Sequence, residues 1–401
     1  APRARPAPRL SPLAARVSQT ADVVIVGAGI IGGSVAFHLL ERDPALRVVV
    51  LEKEAEPGTG ATSKATGGVR FQFSTEANVR LTQLSYRYFT HAEEILGAPV
   101  DFTRHGYLFV TTDPATLEQC RRNVALQRGL GVPSQLLAPA EIQTHLASLV
   151  THDLVGGTFC ADDGSADPYS MLQAFLARAK SRGLRLLTGH PVTGLVRSGE
   201  RVTGVRTPQG EWSAPIVVDC AGPYADQIGA MAGVSIPSKP YRRQVMVTQP
   251  LPGLPAVFAL IVDLDTGFYV HRQGLAAVLM GGTDKDIKPG LDTEVDWDAF
   301  DAVFRAAAIR VPPLAEAQVM RAYAGIRDLT PDYHGILGPA AGAPGLHVAC
   351  GFSGHGFMHA PAIGILMTEI LLDGRAGSMD IAALSLDRFA AGALRAEANM
   401  F

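Results

Sequence analysis

The chain has 401 residues, 47% hydrophobic and 18% charged, which is enough for two cores. A net charge of −3, from 35 basic and 38 acidic residues with no basic block in the folded part, argues against a nucleic-acid-binding surface. The four cysteines, Cys120, Cys160, Cys220 and Cys350, are scattered without a Cys-x-x-Cys or zinc-type pair, so neither a disulfide framework nor a metal site is expected, and a reducing compartment is.

Residues 1–20 carry Arg3, Arg5, Arg9 and Arg16 and no acid. They lack the apolar core of a secretory signal and read as a disordered leader. The expected location is cytoplasmic, with the mitochondrial matrix as the alternative if this stretch is a targeting segment.

Residues 21–53 read as a βαβ unit. An apolar run, Val23 to Val26, ends in Gly27-Ala28-Gly29-Ile30-Ile31-Gly32, a helix follows, and a second apolar run, Val48 to Leu51, ends at Glu52. Gly27 permits the tight turn, Gly29 lets backbone approach a pyrophosphate, and Gly32 lets the helix pack on the strand. The helix N-terminus offers N–H groups to phosphates, and Glu52 suits a ribose while repelling a 2′-phosphate. The uncharged run from Val23 to Phe37 is too short and too glycine-rich for a membrane span. At this point NAD and FAD are both open.

The small, hydroxyl-rich loop 57–68 contains Ser63, Lys64, Gly67 and Gly68 and can supply donors to a ligand. Ser74 or Thr75 caps a helix expected to run to about Leu96. Residues 106–112 are strand-like, and a polar helix follows over 116–129. Asp167-Pro168 starts another helix, with Met171, Leu172, Phe175 and Leu176 on its buried face. Strands are expected at 184–187, 191–197, 201–207 and 212–220, the last ending in Ala221-Gly222, and antiparallel strands at 244–248, 257–262, 267–272 and 276–281. A helix over 296–310 precedes a strand at 345–350, a glycine loop at 351–358 and a helix from Pro361 to Leu372.

Four segments carry a resemblance: Gly-Ala-Gly-Ile-Ile-Gly at 27–32, Ala-Thr-Ser-Lys-Ala-Thr-Gly-Gly at 61–68, Ala-Gly-Ile-Arg at 324–327 with Thr-Pro-Asp at 330–332, and Gly-Phe-Ser-Gly-His-Gly-Phe at 351–357. In this order they resemble the D-amino-acid oxidase superfamily, nearest to sarcosine oxidases, glycine oxidases and the catalytic subunits of proline dehydrogenases. The resemblance implies an α/β plus α+β fold: a Rossmann-like FAD domain (21–97, 156–240 and 321–390), a substrate domain on a large mixed or antiparallel sheet (98–155 and 241–320), and a tail at 391–401. It implies FAD, with Gly27, Gly29, Ile30, Ile31, Gly32, Glu52 and Lys53 at the ADP part. Ser63, Lys64, Gly67 and Gly68 would approach the flavin side, Val192 the adenine, and Ala221 and Gly222 the pyrophosphate. Gly354, His355, Gly356, Phe357 and Met358 would lie at the flavin O2 locus.

The implied chemistry oxidises the C–N bond of a small amine substrate, with oxygen or another electron acceptor taking the electrons. Arg327 falls where relatives bind a carboxylate, with Arg70 as second candidate. Tyr269 and His271 lie two apart on one strand and so share a face; if that face is the cavity, they would orient the amine or accept its proton, and a satisfied core or surface pair is the competing reading. Met358 replaces the lysine of monomeric sarcosine oxidases. No cysteine stands near Arg321 or Ala322, where those enzymes attach flavin, so FAD is expected to be non-covalent. The alternative to an enzyme is an FAD-bearing assembly protein, and either a homo- or a hetero-oligomer is compatible with the sequence.

Overall fold

The computed structural model describes residues 19–273, 277–282 and 287–399; residues 1–18 of the expected leader, the first residue of the strand expected at 276–281, and the last two residues of the expected tail lie outside them. The glycine turn sits at the centre of a six-stranded sheet. Its order is Ile336–Pro339, Leu346–Cys350, Ile216–Asp219, Val23–Val26, Val48–Leu51 and Arg185–Leu187. The strands are parallel except for the first, an antiparallel edge. Val23–Val26 and Val48–Leu51 are buried along their whole lengths, which is why they are continuous apolar runs rather than alternating ones. Helices Ile30–Arg42, Pro168–Ser181, Glu76–Thr90 and Gly356–Asp373 pack together over one face.

The second sheet has eight strands in the order Val319–Leu329, Lys239–Thr248, Ala277–Gly281, Tyr269–Gln273, Leu260–Asp263, Tyr107–Thr111, Gly156–Cys160 and Gln135–Leu137. It is antiparallel apart from the parallel pair Leu260–Asp263 and Tyr107–Thr111, hence mixed. Helix Trp297–Arg310 contributes Phe300 and Ala307 to the core on one face. One strand lies inside a segment expected in the FAD domain, and another straddles the boundary expected at residue 320. Gly156–Cys160 pairs with Tyr107–Thr111, and Val319–Leu329 pairs with Lys239–Thr248, so both belong to this sheet.

Helix ends also differ from the sequence reading. The helix expected to reach Leu96 breaks at His91 into Glu76–Thr90 and Ala92–Leu96. The last long helix begins at Gly356 and carries Pro361 inside it. Proline removes one N–H and displaces the carbonyl of the preceding turn. Here Ser85 Oγ accepts from Ala362 N–H, the donor just after the proline, at 3.1 Å and Ser34 Oγ donates to Ala360 O at 2.7 Å, so side chains of neighbouring helices brace the backbone on both sides of Pro361. By length and composition this helix could cross a membrane, but 67% of it is buried inside the protein, as befits a core helix. The stretch expected as a tail is anchored: Glu397 and Asn399 are buried.

Candidate functional site

One cavity of about 860 Å³ runs from the glycine turn to the eight-stranded sheet. At the turn, Gly27 has φ +101°, and a Cβ there would meet Cys220 O at 2.6 Å. A Cβ on Gly32 would meet Gly27 O at 2.0 Å, so Gly32 acts by packing and lies behind the wall. Gly29 has only Thr62 Oγ1 nearby, at 3.4 Å, leaving backbone open to a ligand. Ala28 N–H donates to Glu52 Oε2 at 2.8 Å and Glu54 N–H to Oε1 at 2.9 Å, which holds the acid at the cavity wall. The helix from Ile30 has no cap from its own N-cap residue; Ile30 N–H instead donates to Thr62 Oγ1 at 3.0 Å. Uncapped first-turn N–H groups and the helix dipole fit the phosphates of a dinucleotide.

Ile30, Ile31, Lys53, Lys64, Gly67, Gly68, Val192, Ala221 and Gly222 also line the cavity. Lys53 Nζ sits 4.6 Å over the Tyr224 ring. Lys64 packs where a Cβ on Gly325 would come within 2.6 Å of its own Cβ. Ser63 is not part of the lining: its Oγ turns back to Thr59 O at 3.2 Å within its own short helical turn. Beside the wall, Asp219 accepts from Ala221 N–H at 3.0 Å, while its Oδ2 is buried without a partner.

At the other sheet, Tyr269, Gly281, Val245 and Tyr323 form one cross-strand row. The Tyr269 ring lies across Gly281, where a Cβ would fall 2.3 Å from its hydroxyl. Tyr107 reaches the cavity in the same way over Gly68, with 1.8 Å to such a Cβ. Arg327 packs against Gly354, whose Cβ would lie 3.0 Å from Nε. Burial pulls the Arg327 pKa down, yet a guanidinium stays charged. Burial pushes Tyr269 up to about 12 and Tyr107 upward as well, so both phenols remain protonated donors.

Arg70 lines the cavity and is 3% exposed; Nη1 donates to Gln72 O at 2.5 Å and Nη2 to Asn399 O at 2.8 Å. Gly354, His355, Gly356, Phe357 and Met358 line it where the last long helix begins, with no side-chain cap. His355 is held neutral by burial and by the Arg70 charge.

His271 is a correction. It shares a sheet face with Tyr269 but lies outside the cavity lining. Its ring stacks at 6.4 Å on His105, Nδ1 donates to Arg272 O at 2.8 Å, and burial pulls its pKa to about 4. Period two assigns a face, not a position along it. Tyr107, and the bond that Thr62 of the hydroxyl-rich loop makes to Ile30, were hidden in the sequence because their partners, Gly68 and Ile30, are far from them in the chain.

Asp219 gives a pH test. Burial raises its carboxyl to about 8, against roughly 3.9 for an unfolded Asp. Between these values the folded state holds a proton that the unfolded state releases, so stability falls as pH rises from about 4 to about 8. Asp219→Asn flattens this slope by about 1.4 kcal/mol per pH unit in urea unfolding of cofactor-stripped protein. An unchanged slope would show that Asp219 is ionised in the fold.

A family model, DAO: FAD dependent oxidoreductase, matches residues 22–370. FAD-dependent oxidoreductase domain-containing protein 1 of Bos taurus is 30% identical over 92% of this chain and 85% of that protein. The mitochondrial sarcosine dehydrogenase of Homo sapiens is 29% identical over 89% of this chain, which spans 40% of that longer protein. The crystal structure of L-proline dehydrogenase from P. horikoshii superposes with a TM-score of 0.88 at 30% identity, covering 94% of this chain and 100% of that one.

Proposed function

The chain belongs to the DAO family of FAD-dependent oxidoreductases, and on that premise we propose that it oxidises the C–N bond of a small carboxylated amine, a sarcosine-, proline- or glycine-like substrate. The observation that carries this reading is that Arg327 and two protonated phenols share one cavity with the dinucleotide turn. Bound FAD supplies, at flavin N5, the acceptor for the hydride leaving the carbon beside the amine, and the resulting imine hydrolyses in water.

The protein's part is binding, orientation and charge. Gly27, Gly29, Glu52 and the first turn of helix Ile30–Arg42 would hold the ADP portion. Gly67, Gly68 and the N-terminus at Gly356 would hold the flavin portion, and the helix dipole there favours negative charge. Arg327 offers a planar fork to the substrate carboxylate. Tyr107 and Tyr269 donate hydrogen bonds beside it and cannot act as phenolate bases near neutral pH.

We take the FAD to be non-covalent, because the residues at Arg321 and Ala322 cannot form a thioether. Acid precipitation should leave the yellow colour in the supernatant; colour in the pellet would overturn this. The arginine-rich composition of residues 1–20 and the mitochondrial relative support a mitochondrial location. Steady-state turnover of sarcosine, proline, glycine and D-alanine, first with oxygen and then with a dye acceptor, tests the reading. The expected result is turnover of at least one of them with one acceptor. Turnover of none, in protein holding its full FAD, would contradict it and favour an assembly role.

A further inference from the structure

Glu397 is 2% and Asn399 7% exposed; Asn399 touches the cavity arginine Arg70, and Glu397 touches Asn399. The Asn399 carbonyl accepts from Arg70 Nη2 at 2.8 Å. Asn399 is itself held at three points: its N–H donates to Glu397 Oε1, its Nδ2 donates to Gln72 O, and its Oδ1 accepts from Asn123 Nδ2, each at 3.0 Å. The Glu397 carboxylate also accepts from Ser74 N–H (2.7 Å), Ser74 Oγ (2.6 Å), Thr75 Oγ1 (2.9 Å) and Asn78 Nδ2 (3.0 Å), which locks it onto the start of helix Glu76–Thr90. A carboxylate is favoured at a helix N-terminus. Its negative charge also stands near the buried guanidinium.

We propose that Glu397 and Asn399 are positioning residues for the cavity. They fix the Arg70 guanidinium, stacked 4.0 Å over Phe73, as a second cation at the cavity wall, close enough to feel the charge of Arg327, which offers its fork to the carboxylate. The carbonyls of Gln72 and Asn399 fix the plane of the fork, and Glu397 fixes Asn399. A buried arginine without this clasp would have other rotamers open to it and lose the counter-charge that offsets its desolvation. That the ligand is a carboxylated amine rests on the functional proposal above; the clasp itself does not.

Acetate, titrated into FAD-loaded protein and followed by the visible flavin band, is the probe. Glu397→Ala is expected to raise the acetate Kd about tenfold, the size of one lost charge-assisted contact. Arg70→Met should do the same, and the double variant should go no further, because the two act through one group. Ser74→Ala, which removes one of the anchors of Glu397, is the milder variant if Glu397→Ala fails to fold; it should raise Kd by about threefold. The proposal is overturned by an acetate Kd that stays within about twofold of the parent in a variant with lowered thermal stability, by additive single effects, or by a parent protein that acetate does not perturb. Failure of every amine to react, with the acetate cycle intact, would count against the amine chemistry alone.

Discussion

Replacing Arg327 with methionine is expected to lower kcat/KM for a carboxylated amine by about 10²–10³-fold. Two charge-assisted hydrogen bonds from a guanidinium to a carboxylate contribute about 3–4 kcal/mol, and each 1.4 kcal/mol is a factor of ten. Methionine keeps much of the side-chain volume against Gly354, where the packing is close, so the fold should persist. FAD content should stay near one per chain, because the glycine turn and Glu52 are untouched. Arg327→Lys should recover only part of the loss, since an ammonium is a point charge and cannot make the same fork. An amine of equal size without a carboxylate should lose little. Equal losses for both substrates would move the carboxylate site away from Arg327.

The second large effect is expected at Gly32. A Cβ there would lie 2.0 Å from Gly27 O, backbone that cannot yield without opening the turn. Gly32→Ala should therefore purify with under about a tenth of the FAD of the parent protein. A ligand that binds only the folded state stabilises it by RT ln(1 + [L]/Kd), about 2.7 kcal/mol at a hundredfold excess over Kd. Added FAD should raise the melting temperature of the stripped parent and leave the variant unmoved. An equal shift in both would mean that the glycine turn is not where the dinucleotide binds.

The glycine turn was readable because its parts are contiguous. A buried strand, three glycines at fixed spacing, a helix and a terminal acid each need a particular residue type within about thirty positions of chain. Arg327 and the segment at Gly354 entered through resemblance, and the cavity brings them together. What the sequence concealed depends on distant partners. Gly156–Cys160 is a short strand with no local sign of which sheet it will join. The start of the last long helix was hidden because Pro361 reads as a helix start, and only the fold supplies Ser85 to accept the Ala362 N–H. Tyr107 looks like an ordinary strand residue until Gly68 is placed beneath its hydroxyl. Glu397 and Asn399 look like the end of a polar tail, yet their partners lie more than 270 positions earlier in the chain. His271 shows the converse: correct periodicity, but a place along the strand beyond the reach of the cavity.

The central claim is that one cavity holds FAD and a carboxylated amine together. Its most direct test is anaerobic mixing of FAD-loaded protein with sarcosine, proline, glycine and D-alanine in turn, following the visible flavin band. The account predicts bleaching by at least one of these amines, at a rate that Arg327→Met lowers by about 10²–10³-fold. A flavin that stays oxidised with all of them, in protein that a chemical reductant bleaches fully, would contradict it.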